Sequence, residues 1–126
     1  MVPHFILYVQ DQHRSCSFWC AALDLNPVLD TPGMTEFDLG GAVLGLMPEV
    51  NARRLLRHAP DPAQASGVPR AELYLRVDDV ESAFARALAA GGREVTPPML
   101  RDWGEVVGYC LDPDGHVLAV AERSRR

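Results

Sequence analysis

The chain has 126 residues, 48% of them hydrophobic, and carries 12 Lys and Arg against 17 Asp and Glu for a net charge of −5. That is enough for one compact domain with its own core, and the acidic balance argues against a nucleic-acid partner, because phosphates need clustered cations. No apolar run approaches the ~20 residues that cross a bilayer, and the N-terminus passes straight into a strand pattern with no leader-like run. The expectation is a soluble cytoplasmic protein with neither membrane nor nucleic acid as partner.

The short basic runs do not change this. Arg53, Arg54 and Arg57 sit at helical spacing and Arg123, Arg125 and Arg126 form a C-terminal tail, and both are read as solvated faces. Three cysteines, Cys16, Cys20 and Cys110, give no disulfide framework. Cys16 and Cys20 share a helix face, but nothing nearby completes a zinc spacing, so all three are read as free, partly buried thiols.

In chain order, HFILYVQD (4–11) alternates Phe5, Leu7 and Val9 against His4, Ile6 and Tyr8, the period of a strand with one apolar and one chemical face. Gln12 to Leu23 carries Phe18, Trp19, Ala22 and Leu23 at helical spacing, with Asp11 placed to cap it. This helix is expected to pack on the Phe5, Leu7, Val9 face. Short strands follow at Pro27 to Leu29, at Thr35 to Leu39 after the Pro32-Gly33 turn, and at Ala42 to Met47 after a Gly40-Gly41 hairpin. From Pro48 to Pro69 the pattern dissolves into an amphipathic turn at Ala52 to Arg57 and a Pro, Ala and Ser-rich stretch, APDPAQASGVP.

Then the order repeats. ELYLRVDD (72–79) alternates like the first strand, and a helix from Val80 to Ala90 ends at Gly91 and Gly92. Strands are predicted at Arg93 to Thr96, Glu105 to Leu111 and His116 to Glu122, the last two joined by the tight turn Asp112-Pro113-Asp114-Gly115. The fold class is α+β: a single domain over 1–126, with one βαβββ module at about 1–48, a linker at about 49–69 and a second module at about 70–126.

The segments HFILYVQDQHRSCSFWCAALDL (4–25) and RDWGEVVGYCLDPDGHVLAV (101–120), set on this repeat, resemble the glyoxalase, bleomycin-resistance and extradiol-dioxygenase superfamily. The resemblance implies a curved, cup-shaped mixed sheet built from paired modules, often assembled as a homodimer, with a small-molecule ligand in the cup. In metal-using members each module supplies ligands from its first and last strands. Carried across, the first-strand positions are His4 and Glu72, while the positions where a carboxylate is usual fall on Gly45 and Ala119, which cannot coordinate. His116 and Glu122 share the parity of Leu118 and Val120, away from Ala119.

The cup face would then carry His4, Tyr8, Glu72, Tyr74 and Arg76, with Val43, Met47, Val117 and Ala119 as walls and Trp103 from the preceding loop. The leading expectation is a binder of the bleomycin-resistance type, without a cofactor, that holds or sequesters an antibiotic-like or metabolite ligand, cationic or planar. His4, Tyr8, Met47, Glu72, Tyr74, Arg76 and Trp103 are its contacts. The alternative is a divalent-metal lyase, isomerase or dioxygenase with His4 and Glu72 as metal ligands, or the two as an acid–base pair. Plainer roles stand beside these: His4 as a half-exposed strand residue, Tyr8 and Tyr74 as cross-strand packing, Arg76 paired with Asp78 and Asp79, Trp19 in the core, and Trp103 plugging a sheet edge.

Overall fold

The computed structural model describes residues 1–58 and 60–124; Ala59, the first residue of the linker stretch, and Arg125 and Arg126 of the basic tail lie outside the described residues. Eight strands and three helices follow in the order β1 (His4–Val9), α1 (Gln12–Leu23), β2 (Leu29–Thr31), β3 (Met34–Asp38), β4 (Val43–Pro48), α2 (Glu49–Leu55), β5 (Glu72–Arg76), α3 (Val80–Ala89), β6 (Arg93–Leu100), β7 (Glu105–Leu111) and β8 (Val117–Arg123). They make two four-stranded mixed sheets, ordered β1-β4-β3-β2 and β5-β8-β7-β6. In each, the first and last strands of a module run parallel and the other pairs antiparallel. The repeat read from sequence is therefore a repeat of topology.

The chain separates into two compact units, residues 1–20 with 25–68, and residues 21–24 with 69–126. In the first, the alternation on each strand divides the sheet into two faces. Leu44, Leu46, Thr35, Phe37 and Val9 are buried on one, and Ile6, Met47 and Glu36 are half-buried on the other. Phe5 departs from expectation: it belongs to the buried-face parity, yet it is 54% exposed, at the start of the edge strand β1. Helix α1 starts where predicted, with Asp11 Oδ1 accepting from Arg14 N at 2.9 Å. Gln12 then ties this helix to the β2–β3 turn, its Nε2 donating to Thr31 O at 2.8 Å and to Thr35 Oγ1 at 2.9 Å while its Oε1 accepts from Gly33 N at 3.0 Å. Trp19 is fully buried edge-on to Phe18, ring centroids 5.1 Å apart, and so fills core.

In the second unit, Leu118, Val120 and Cys110 face the same way as the buried stripe of α3, Val80, Ala83, Phe84 and Ala87. Asp79 caps α3, its side chain accepting from Ser82 N. Glu122 Oε1 accepts from Val80 N at 3.2 Å, which places Glu122 on the α3 side and away from Ala119, as the parity argument required. The linker holds more structure than its composition suggests: α2 begins three residues earlier than the predicted turn, and Asp61 caps a 3-10 turn at Pro62–Gln64. Arg53 and Arg54 are exposed, and Arg53 Nε lies 3.3 Å from Asp61 Oδ2.

Strand β6 runs to Leu100 rather than stopping at Thr96. Pro97 and Pro98 are tolerated because β6 is an edge strand, and its register with β7 shifts between Glu94 and Thr96 and again between Thr96 and Met99. Proline costs a ladder hydrogen bond, and edges and bulges are where that loss is cheapest.

Candidate functional site

On each sheet the side chains of interest share one face by strand parity, in the second unit the face opposite the one that meets Phe84 of α3. In the second unit the register sets Tyr74, Ala119 and Tyr109 in one row, with Arg76, Ala121 and Val107 in the next. Val107, Ala119 and Ala121 are fully buried, with Tyr74 and Tyr109 packed over them. Small residues on the central strands thus form an apolar floor that larger neighbours roof.

The polar groups at the end of this floor converge on one carboxylate. Glu105, 4% exposed, opens β7 with the parity of Val107 and Tyr109. Its Oε1 accepts a short hydrogen bond from Tyr74 Oη, and its Oε2 accepts from Arg76 Nε at 2.7 Å. Trp103 Nε1 donates in turn to Tyr74 Oη at 2.9 Å. The Tyr74 hydrogen bond holds the Glu105 carboxyl below the ordinary range; burial opposes this, and the charges of Arg76 and Arg123 assist it. Burial, followed by the bond to Glu105, pushes the Tyr74 hydroxyl up.

Arg101 holds the turn that delivers Trp103. Its Nη2 donates to Thr96 Oγ1 at 2.8 Å and to Val107 O at 2.9 Å, its Nε donates to Val107 O at 3.2 Å, and its guanidinium lies 5.2 Å from the Tyr109 ring centroid. Backbone bonds Arg101 N to Glu105 O and Gly104 N to Arg101 O close the turn, with Gly104 at φ +89° where a side chain would be strained.

In the first unit the open face carries His4, Ile6 and Tyr8, across from Val43, Gly45 and Met47 in register. Glu36 sits opposite Gly45 on β3, and its Oε2 lies 3.7 Å from His4 Nδ1. A cavity of about 340 Å³ elsewhere on this unit is lined by Gln12, His13, Cys16, Asp30, Thr31 and Pro32. Cys16 Sγ is 3.8 Å from Cys20 Sγ, and burial, then its neighbour, pushes the Cys16 thiol up to about 11.

Sequence reasoning named Tyr74, Arg76 and Trp103 separately, and the structure brings these three together around Glu105. Arg76 was weighed as a partner of Asp78 and Asp79, whereas its ion pair is with Glu105. Tyr8 and Met47 are register partners. His4 belongs to the first unit and Glu72 to the second, where Glu72 pairs in register with Val117. Three contributors were missed: Glu105, Glu36 and Arg101. Period-two parity from Val107 and Tyr109 would have placed Glu105 on the open face.

Metal-using members of the superfamily that the sequence resembles would place carboxylates at Gly45 and Ala119, and that donor set can be tested there. A Cβ built on Gly45 would lie 2.5 Å from Ile6 Cδ1 and 3.3 Å from Met34 Sδ, so packed apolar atoms occupy the space a side chain would need. Ala119 is fully buried in the apolar floor. Neither position fits a carboxylate ligand. Among the described residues, Asp112, Asp114 and His116 do bring three donor atoms within 4.8 Å of one another. The β7–β8 turn accounts for that cluster: Asp112 Oδ1 accepts from Asp114 N at 3.0 Å and His116 N at 2.7 Å, and its Oδ2 pairs with His116 Nδ1 at 2.9 Å. Burial lowers the His116 pKa, but the Asp112 bond and charge, aided by Asp114, outweigh it and the net shift is upward.

Known proteins agree with this architecture. A glyoxalase-related enzyme from Fulvimarina pelagi superposes with a TM-score of 0.81 at 23% identity, over 98% of this chain and 88% of its own. A glyoxalase/bleomycin resistance protein/dioxygenase family enzyme from Burkholderia phytofirmans PsJN gives 0.85 at 19% identity, over 95% and 96%. These likenesses speak to fold alone. An uncharacterised protein of Mycobacterium bovis is 36% identical over 64 residues, a match that spans 51% of this chain and 41% of that relative's length. The pattern of one family runs through residues 1–120, and the chain belongs to the glyoxalase/bleomycin resistance protein/dioxygenase superfamily.

Proposed function

We propose that this chain is a cytoplasmic small-molecule-binding protein that holds or sequesters an antibiotic-like or metabolite ligand on its open sheet faces, without a complete catalytic metal set. One observation carries the reading: exposed Trp103 and Arg76 are held in place through Tyr74 and Glu105, beside a Val107, Ala119 and Ala121 floor that Tyr74 and Tyr109 cover. An exposed aromatic ring beside a few fixed polar groups suits recognition of an organic molecule. A catalytic metal instead needs about three protein donors with open positions, and Gly45 and Ala119 supply none. Phe5, 54% exposed on edge strand β1, is apolar surface that the second copy of a homodimer would cover.

Titration of chelator-treated protein with planar drug-like compounds, followed by tryptophan fluorescence, tests the reading. Trp19 is buried and Trp103 is 57% exposed, so a ligand on this face alters the signal of Trp103. Saturable change is expected; silence towards every compound would count strongly against binding.

A second reading, a divalent-metal lyase, isomerase or dioxygenase, draws on the His4–Glu36 pair. The sequence pairs His4 with Glu72, but within the first unit the donor beside His4 is Glu36. If that pair held an ion, manganese, nickel, zinc or ferrous iron at 100 times its dissociation constant would stabilise the fold by about 2.7 kcal/mol, and His4→Ala would abolish the gain.

A further inference from the structure

We propose that the ligand of the second unit's open face is a planar aromatic carboxylate, clasped by the free edge of Arg76 against Trp103. The inference rests on the small-molecule-binding reading and adds the chemical class. It also reverses the sign of charge first expected for the ligand.

The argument is an account of which charges remain available. Glu105 is the carboxylate nearest the floor's open end, but both its oxygens are bonded and its side chain is only 6% exposed. Buried and already paired with a guanidinium, it is poorly placed to meet a cation from solvent. Among the described residues Arg76 is bonded through Nε alone, and its side chain is 66% exposed. A guanidinium has five N–H donors, so the whole edge formed by its two terminal nitrogens faces outward while Glu105 fixes its orientation. That edge matches the two oxygens of a carboxylate in a paired, parallel arrangement. Arg123 lies opposite Glu105 in the β7–β8 register and adds positive charge at the same end. Glu72 shares the face but stands four residues along β5 from Arg76, roughly 13 Å away at strand rise, beyond the screening length of about 8 Å in physiological salt. Asp102 is exposed in the turn beside Trp103, and the only ion-pair partner of Arg76 among the described residues is Glu105.

Planarity comes from Trp103. Its indole is 57% exposed yet pinned by the bond from Nε1 to Tyr74 Oη, so a ring face is presented without conformational freedom to lose. From that nitrogen to Arg76 Nε the path is three hydrogen bonds and a carboxylate's width, at most roughly 10 Å. A bicyclic acid spans that distance.

Three matched probes test this on the intact chain: 2-naphthoate, 2-naphthylmethanol and 2-naphthylmethylammonium, followed by calorimetry and by the two indole N–H signals of nitrogen-15 labelled protein. Naphthoate is expected to bind at least roughly tenfold tighter than the ammonium probe, the effect of one charge-assisted contact, and to move the Trp103 signal while leaving that of buried Trp19. Arg76→Gln should erase the naphthoate advantage and spare naphthylmethanol. Because Arg76→Gln leaves Glu105 without its cation, Arg76→Lys is the companion variant; it keeps the charge, loses the fork and should retain an intermediate preference. Equal or tighter binding of the ammonium probe, or wild-type naphthoate affinity in both variants, overturns the carboxylate assignment while leaving small-molecule binding intact. Failure of all three probes to move Trp103 at millimolar concentration would sink both.

Discussion

Arg101→Ala is the change that most directly asks whether this face is built rather than incidental. The β6–β7 register shifts between Thr96 and Met99, the residue that pairs with Val107, and the Val107 carbonyl takes two bonds from Arg101, at 2.9 and 3.2 Å. Removing the side chain strands that carbonyl beneath the floor, a cost of about 1–3 kcal/mol. It also forfeits the Tyr109 contact, about 0.5–1 kcal/mol, and the Thr96 bond, about 0.5–1 kcal/mol at a half-exposed site. Because these share one side chain, the sum is taken as about 2–4 kcal/mol. For a domain of this size that is a fall of about 3–5 °C in Tm per kcal/mol. Urea unfolding should show a lower midpoint with unchanged slope. Arg101→Lys keeps the cation but not the fork and should lose about half as much. The Trp103 indole signal should move in both variants, since the turn from Arg101 to Glu105 positions it. A loss below about 0.5 kcal/mol in Arg101→Ala, or a Lys variant equal to wild type, would refute the claim that the guanidinium fork holds this turn to the sheet.

Glu105 has a depressed pKa, so its contribution is present above the ordinary value of 4.5 and fades as pH falls through the lower folded value; the stability gap between wild type and Glu105→Gln, read by urea unfolding, should close in acid and stay constant from pH 6 to 8. His116 runs the other way: its pKa is raised above 6.5, so the bonus from Asp112 is complete below 6.5 and is lost as pH rises through the raised value, and His116→Gln should be costlier at pH 6 than at pH 9. Gly108→Ala would set a Cβ 2.7 Å from Phe84 Cδ1 and 3.0 Å from Pro98 Cγ, two rings that cannot yield easily, and should cost about 1–3 kcal/mol in chemical unfolding. Gly45→Ala meets the flexible ends of Ile6, at 2.5 Å, and Met34, at 3.3 Å, which can turn aside, and should cost less than about 1 kcal/mol; equal losses would contradict the packing argument.

Secondary structure was legible wherever a local signal fixed it. The capping position of Asp11, the Gly91-Gly92 stop and the Asp112 to Gly115 turn each declared an element end, and α1 and β7 have the predicted bounds. Strand β2 is three residues long, too short for its alternation to locate it, and it lies at Leu29–Thr31 rather than at Pro27 to Leu29. Strand β6 runs on past Thr96 through Pro97 and Pro98, residues that no strand pattern favours and that its edge position accommodates. Faces were legible as well, since alternation alone puts Tyr74, Arg76 and Ala119 on one side. Partners were not. Arg76 reaches a carboxylate 29 residues away, while Asp78 and Asp79 lie beside it in sequence, and only the β7–β8–β5 register makes the distant one near.

The register also shows what surrounds Gly45 and Ala119, the two small residues at the centres of the sheets. In the first sheet Ile6, Gly45 and Glu36 form one row, and in the second Tyr74, Ala119 and Tyr109 form the equivalent row. Both central positions are small and both flanks are larger. Gly45 gives its space to Ile6 and Met34, and Ala119 lies under Tyr74 and Tyr109. A single substitution back to Glu at either position would have to displace that packing and bury a charge without a cation, each unfavourable by itself. A carboxylate at either position thus asks for paired changes, at the central residue and at its β1 or β5 neighbour, Ile6 or Tyr74.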